Sequence, residues 1–132
     1  MKEIDKELLI KDLSARLPYG VICKLSVKGA DVSITEKLDL GGLEHFIFGT
    51  MDVKPYLRPM SSMTKEEKYI YRHMLGAQLN SEGESIMFVY IEDFPVVIDW
   101  LNKNHFDYRK TPDGETMIEA GLALEAPEDM YE

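Results

Sequence analysis

Hydrophobic residues recur at helical intervals near the start of the chain. Leu9, Ile10, Leu13 and Leu17 share one face of a helix predicted over residues 3–17, which Pro18 and Gly20 then end. From Tyr19 the period drops to two. Tyr19, Val21, Cys23, Leu25 and Val27 take one side of a strand, and Lys24, Ser26 and Lys28 the other. Gly29–Asp31 turns the chain, and "DVSITEKLDL" resumes the alternation with Val32, Ile34, Leu38 and Leu40. Glu36 interrupts that inner row, which predicts a partly exposed or edge strand. Gly41–Gly42 breaks the pattern, so "LGGL" reads as a loop and "EHFIFGTM" as a third short β-run. "DVKPYL" is a fourth, kept from the centre of a sheet by Pro55. Residues 19–57 are therefore expected to form a sequential antiparallel meander or a partial barrel behind an N-terminal helix.

Helical signals return at "SSMTKEEKYIYRHML". Thr64 and Glu67 have the spacing of a capping box, and Met63, Ile70, Met74 and Ala77 lie along one stripe. "NSEGES" (80–85) is a polar loop; "IMFVYI" (86–91) has the composition of a buried strand, although periodicity does not separate it from a helix. Asp93 is placed to cap a further helix with Pro95 in its first turn and Phe94, Val97, Ile98 and Leu101 on its apolar face. Asp99 and Lys103 form an exposed pair on that helix, and Asn104 is a natural left-handed stop. "TPDG" is a turn, "ETMIEAG" a short helix or hairpin closed by Gly121, and "EAPEDMYE" an acidic tail free to fray. The fold class expected is α+β, in one domain over residues 1–132.

Composition agrees: 132 residues with 45% hydrophobic and 30% charged content suit one compact core. No run of eighteen apolar residues is present to span a membrane, and "MKEIDKELLIKDL" has no uninterrupted apolar stretch of leader type. The expectation is a soluble, cytoplasmic protein with no membrane partner. A formal net charge of −9 argues against direct nucleic-acid binding, which needs a basic patch. Solubility explains that charge most simply, and a basic partner or mimicry of nucleic acid are the sharper alternatives. The lone Cys23 excludes an internal disulfide and fits a reducing compartment.

Chemistry-bearing motifs are sparse. His45, His73 and His105 lie too far apart to form a metal pair on a helix, and Cys23 has no second thiol near it. Cys23 sits in the inward row of a strand, where a buried and unreactive thiol is expected. "LGGL" lacks the continuation of a phosphate loop, and Ser61 and Ser62 suit a helix entry rather than a nucleophile elbow. Glu92 and Asp93 are explained by capping. No catalytic residue, metal or cofactor is assigned. "DWLNKNHFDYRK" (99–110) remains. Its aromatics Trp100, Phe106 and Tyr108 are expected to staple the helix end to the core, Phe106 inward. His105, Asp107 and Arg109, with Trp100, are the binding candidates, a polar row turned outward over an aromatic bed.

The blocks "LLIKDLSARLPYGVICKL", "DVKPYLRPMSSMT", "DWLNKNHFDYR" and "GLALEAPEDMY" carry a resemblance that runs from Leu8 nearly to the C-terminus. Together they resemble a family of small uncharacterised proteins encoded in Bacteroidales genomes, often in phage or prophage-like regions. Where members pass from the arginine to a Gly-Leu-Ile segment, "KTPDGETMI" intervenes here, as a surface variation. The resemblance implies an intracellular bacterial or phage setting and supplies no activity or catalytic residues. The function expected is binding to another protein, or regulation, without catalysis. The alternatives are an enzyme assembled from dispersed residues such as His73, His105 and Asp107, and an acidic nucleic-acid mimic.

Overall fold

A computed structural model describes residues 2–78 and 94–132. Helix α1 (Glu3–Arg16) opens the chain. Its buried face is Leu9, Asp12, Leu13 and Arg16, spaced three, four and seven apart. An acid–base pair thus shares the stripe with two leucines, while Ile10 and Leu17 are only half-buried. A 3₁₀ turn at Leu17–Tyr19 takes up Pro18, and Gly20 closes it at a φ of 71°.

Strand β1 (Ile22–Val27) follows, with Cys23 and Leu25 inward and Lys24 outward, then β2 (Ser33–Lys37), antiparallel to it. The α+β class and the N-terminal helix stand as the alternation indicates. The next stretch does not. Residues expected as a loop and third strand form helix α2 (Leu40–Ile47). Asp39 accepts a hydrogen bond from the Gly42 N–H and caps it. Gly42 is not a breaker: a Cβ there would come within 3.2 Å of both Leu25 and Leu38, so glycine lets the helix lie against the sheet. Leu43 and Phe46, three apart, are its buried contacts. The true break is Gly49, at a φ of 81°.

Strand β3 (Met51–Pro59) is central, with β1 antiparallel along Met51–Pro55. Two-residue strands β4 (Phe106–Asp107) and β5 (Leu124–Glu125) run parallel to it at Arg58–Pro59 and Tyr56–Leu57, so the sheet is mixed. Pro55 is tolerated because of ladder phase. Lys28 donates to the Thr50 carbonyl, so even-numbered residues of β3 bond to β1. The N–H that Pro55 lacks would point the other way, where β5 joins only from Tyr56.

Helix α3 (Lys65–Gln78) carries the expected capping box: Thr64 N–H donates to Glu67 at 3.0 Å and Glu67 N–H to Thr64 Oγ1 at 3.1 Å. Helix α4 (Pro95–Lys103) has Pro95 in its first turn and Val97 and Leu101 fully buried. Its N-cap is Phe94, with no side-chain capping bond; Asp93, "NSEGES" and "IMFVYI" lie outside the described residues. Asp99 accepts from the Tyr19 hydroxyl, which ties α4 to the end of α1, instead of pairing with Lys103.

Two apolar clusters result. One joins α1, α2 and the sheet through Leu9, Leu13, Leu43, Phe46, Cys23, Val53 and Leu57; the other joins Met63, Leu75, Val97, Leu101 and Phe106. Cys23 is fully buried, and burial pushes its thiol up to about 12 with Asp12 adding to the effect, so a thiolate is doubly disfavoured.

The C-terminal segment turns at "TPDG" as expected and departs from expectation after it. Gly114 N–H donates to Thr111 in the "TPDG" turn, and an antiparallel bridge joins Lys110 to Thr116. Residues 116–120 then make one turn, with Thr116 and Glu119 capping each other reciprocally and Gly121 at a φ of 76°. The acidic tail does not fray at its end. Tyr131 Oη accepts from Ile22 N–H at 2.9 Å and donates to the Tyr56 carbonyl at 2.7 Å, spanning β1 and β3. One aromatic with a polar tip anchors an otherwise charged stretch.

Candidate functional site

The segment from Trp100 to Arg109 is built by the way α4 ends. Asn104 keeps an ordinary φ of −98°, its side-chain amide donating to the Trp100 carbonyl. The left-handed stop falls one residue later, on His105, at a φ of 64°. That reversal sends Phe106–Asp107 alongside β3, where Arg58 N–H donates to the His105 carbonyl at 2.8 Å.

Alternation then separates the side chains, but both sides lie inside the protein. Phe106 is fully buried, stacked on Trp100 at 5.6 Å with the Arg58 guanidinium 4.2 Å from its ring centroid. Trp100 is half-buried and stacks in turn on Tyr71. The staple is as expected. The outward row is not: His105 is 7% exposed and Asp107 1%, and Arg109 is part-buried. The C-terminal segment covers the face that the sequence pattern left open. Tyr131 stacks on His105 at 3.7 Å, and the backbone N–H groups of Met117 and Ile118 donate to the two Asp107 carboxylate oxygens.

Arg109 enters a polar cluster absent from the sequence reading. Asp12 receives Arg16 Nε at 2.9 Å and Arg109 Nη1 at 2.5 Å. Arg16 Nη2 donates to the Phe106 carbonyl at 2.5 Å, and Tyr108 and Arg109 both reach Asn102 Oδ1. Asp12 and Arg16 are completely buried. Their sequence signal was an i,i+4 acid–base pair inside an apolar stripe, a place where a solvated pair does not belong. The cluster locks α1 to the end of α4, and every Asp12 contact in it is to a cation of the same chain. Its chemistry is structural.

His105 is buried beneath Tyr131. Burial, with Arg16 and Arg58 nearby, lowers its pKa to about 4, and Nδ1 has no hydrogen-bond partner among the described residues. The unfolded chain therefore binds more protons than the folded one between about pH 4 and 6.5, and stability falls as pH drops through that window, by about 3 kcal/mol in full. Asp107 opposes this, since burial raises its pKa. Urea unfolding at about pH 7 and about pH 5 should show a larger loss for the native chain than for His105→Asn, which keeps a residue tolerant of the left-handed backbone. Equal losses in the two proteins would remove His105 as the source.

The three histidines sit in separate surroundings: His45 on Thr50, exposed His73 stacked on Tyr69, and His105 under Tyr131. Among the described residues no three His, Cys, Asp or Glu side chains are grouped to hold a metal ion. A cavity of about 450 Å³ opens beside Asp107, walled by Pro59, Met60, Tyr108 and Ile118. At its wall each Asp107 carboxylate oxygen accepts one backbone N–H, from Met117 and Ile118.

The surface open to a partner lies elsewhere. Every residue of β2 is exposed, and among the described residues β2 pairs only with β1. Val32 and Ile34 share the core face with Leu25 yet are 61% and 49% exposed, and Val27 beside them is 47% exposed. Leu38 N–H donates to the Val21 carbonyl, so even-numbered β2 residues bond to β1, and the N–H and C=O groups of Ser33, Thr35 and Lys37 point outward. Leu40 and Phe48, at the two ends of α2, add further exposed apolar area. Sequence marked β2 as an edge through Glu36 but did not show that its apolar residues stay uncovered.

No protein-family profile, curated protein or solved structure matches the chain.

Proposed function

We propose that the protein works by binding another protein, as an interaction or regulatory module without catalysis, and that the β2 edge receives the partner. One observation carries this: among the described residues β2 leaves the backbone groups on its rim unpaired and shows an apolar pair, Val32 and Ile34, on the face where the core would otherwise continue. Exposed edge strands are costly features that proteins normally blunt, and an added strand satisfies both the backbone groups and the apolar face. The setting that fits is intracellular and cytoplasmic, supported by the presence of a single, buried cysteine, Cys23. Among the described residues no helix is long and apolar enough to cross a membrane.

The test is photo-crosslinking in cells that make the protein, with the reactive group placed at Ile34 and, as control, at exposed Lys103. A discrete protein adduct is expected from Ile34 and not from Lys103. It should vanish with Thr35→Pro, which removes one outward N–H and leaves the β1 ladder intact. The same adducts from both positions, or none from Ile34, would defeat the proposal.

A further inference from the structure

The open face of the sheet carries charge opposite to that of the chain as a whole. Lys24 on β1 and Lys54 on β3 stand directly opposite each other. Lys37, opposite Ile22, lies on that same face, two residues from Thr35, which is Lys24's partner on β2. Lys28 continues the row opposite Thr50. All four lysines are exposed. Among the described residues of these strands the one carboxylate on this face is Asp52, 3.9 Å from Lys28 with both side chains more than half exposed. Four ammonium groups against one carboxylate therefore occupy one face of a chain whose formal net charge is −9. Like charges directly opposite across antiparallel strands destabilise a sheet, so the Lys24–Lys54 pair is unfavourable to the fold on its own. By contrast Arg58, further along β3, is held by Glu67 at 2.6 Å.

This face adjoins the rim of β2 that stays unpaired among the described residues. Alternate residues of a strand added there would look to opposite sides. On the core side they meet Val32 and Ile34, with Glu36 at the far end of that row; on the open side they lie beside Ser33, Thr35 and Lys37. Lys24 is then about 10 Å away across two strand spacings, a gap that a lysine and a glutamate side chain close between them. Resting on the edge-binding reading above, we infer that the partner presents an extended segment alternating apolar and acidic residues, seated on β2 with its acidic side chains toward Lys37 and Lys24. Lys28 and Lys54 deepen the positive field beneath it.

A nucleic acid fits less well. Single strands are held by basic grooves interleaved with stacking aromatics, and the exposed residues of this face are lysine, serine, threonine and aspartate. Duplex DNA carries a charge every ~1.7 Å and would bring further phosphates against a surface that is strongly negative beyond these lysines. A short acidic segment meets the basic face alone.

The experiment uses the full chain labelled with ¹⁵N and three peptides of one length. Each alternates valine with a second residue, which is glutamate, glutamine or lysine. Amide shifts of Ser33–Lys37 report occupancy of the edge. The glutamate peptide should bind about tenfold more tightly than the glutamine peptide at low salt, with the advantage shrinking as salt rises. Lys24→Glu together with Lys37→Glu, both at exposed positions, should reverse the order in favour of the lysine peptide. Equal affinity for the glutamate and glutamine peptides at β2 would overturn the charge inference and leave edge binding standing. Failure of all three to shift the β2 amides would overturn both. Tighter binding of an oligothymidylate than of the glutamate peptide at Lys24 and Lys54 would make this a nucleic-acid surface, and a peptide-free dimer abolished by the double variant would make the occupant a second copy; either result overturns the inference.

Discussion

Asp12→Ala should destabilise the protein by about 3–5 kcal/mol, the usual loss when one member of a buried ion pair is removed. Asp12 is completely buried and is the only carboxylate that meets Arg16, itself fully buried, and Arg109 among the described residues. Without it, two guanidiniums remain inside without a directly paired carboxylate. Arg16 is further fixed by its bond to the Phe106 carbonyl and lies 5.5 Å from the Tyr108 ring centroid, so it has no short path to water. The double replacement Asp12→Ala, Arg16→Met should lose less than Asp12→Ala alone, because it removes the stranded charge and refills the volume with apolar atoms. Chemical denaturation of both variants gives the comparison. A single-variant loss under about 1 kcal/mol would mean that the guanidiniums find solvent and that the cluster does not lock α1 to α4.

Sequence periodicity located α1, β1, α3 and α4 because each repeats its apolar positions over enough residues to distinguish 3.6 from 2. It misassigned α2 because "LGGLEHFI" is short, and its glycines serve close packing against Leu25 rather than a turn. It placed Pro55 off the sheet centre because ladder phase, which decides whether the missing N–H matters, is a property of pairing and not of one strand. The reversal after α4 fell on His105 rather than Asn104 for a related reason. A left-handed histidine is tolerated when stacking and a backbone bond hold it, here Tyr131 and Arg58 N–H.

The candidate site shows the same division. Alternation in "HFDYR" correctly separated Phe106 from His105 and Asp107, yet could not report that the segments at Met117–Ile118 and Tyr131 return to cover the second side. Covering elements that arrive from 10 and 26 residues downstream leave no periodic trace at the positions they cover. The lysine face was, by contrast, visible in part: Lys24 and Lys28 were placed together on the outward side of β1. What joined them to Lys37 and Lys54 was the register of three strands. Net charge alone concealed that face, since −9 describes a sum and a partner meets a surface.

Phe106→Ala should cost about 3–5 kcal/mol, the range for truncating a buried aromatic. Phe106 is 0% exposed and packs at once against the Trp100–Tyr71 stack, the Arg58 guanidinium, and the α4 face of Val97 and Leu101. Its carbonyl meanwhile receives Arg16, so a shift of the backbone after truncation also loosens the Asp12 cluster. Losses at Phe106 and Asp12 should therefore couple rather than add. Trp100 is the sole tryptophan and stacks directly on Phe106, so its fluorescence reports the local packing while circular dichroism reports the helices. Against a typical total stability of about 5–15 kcal/mol, the truncation should bring the melting transition down by many degrees and leave an appreciable unfolded population at 37 °C. A Phe106→Ala protein that melts within a degree or two of the native chain would show that the second cluster closes around Val97 and Leu101 without its central ring.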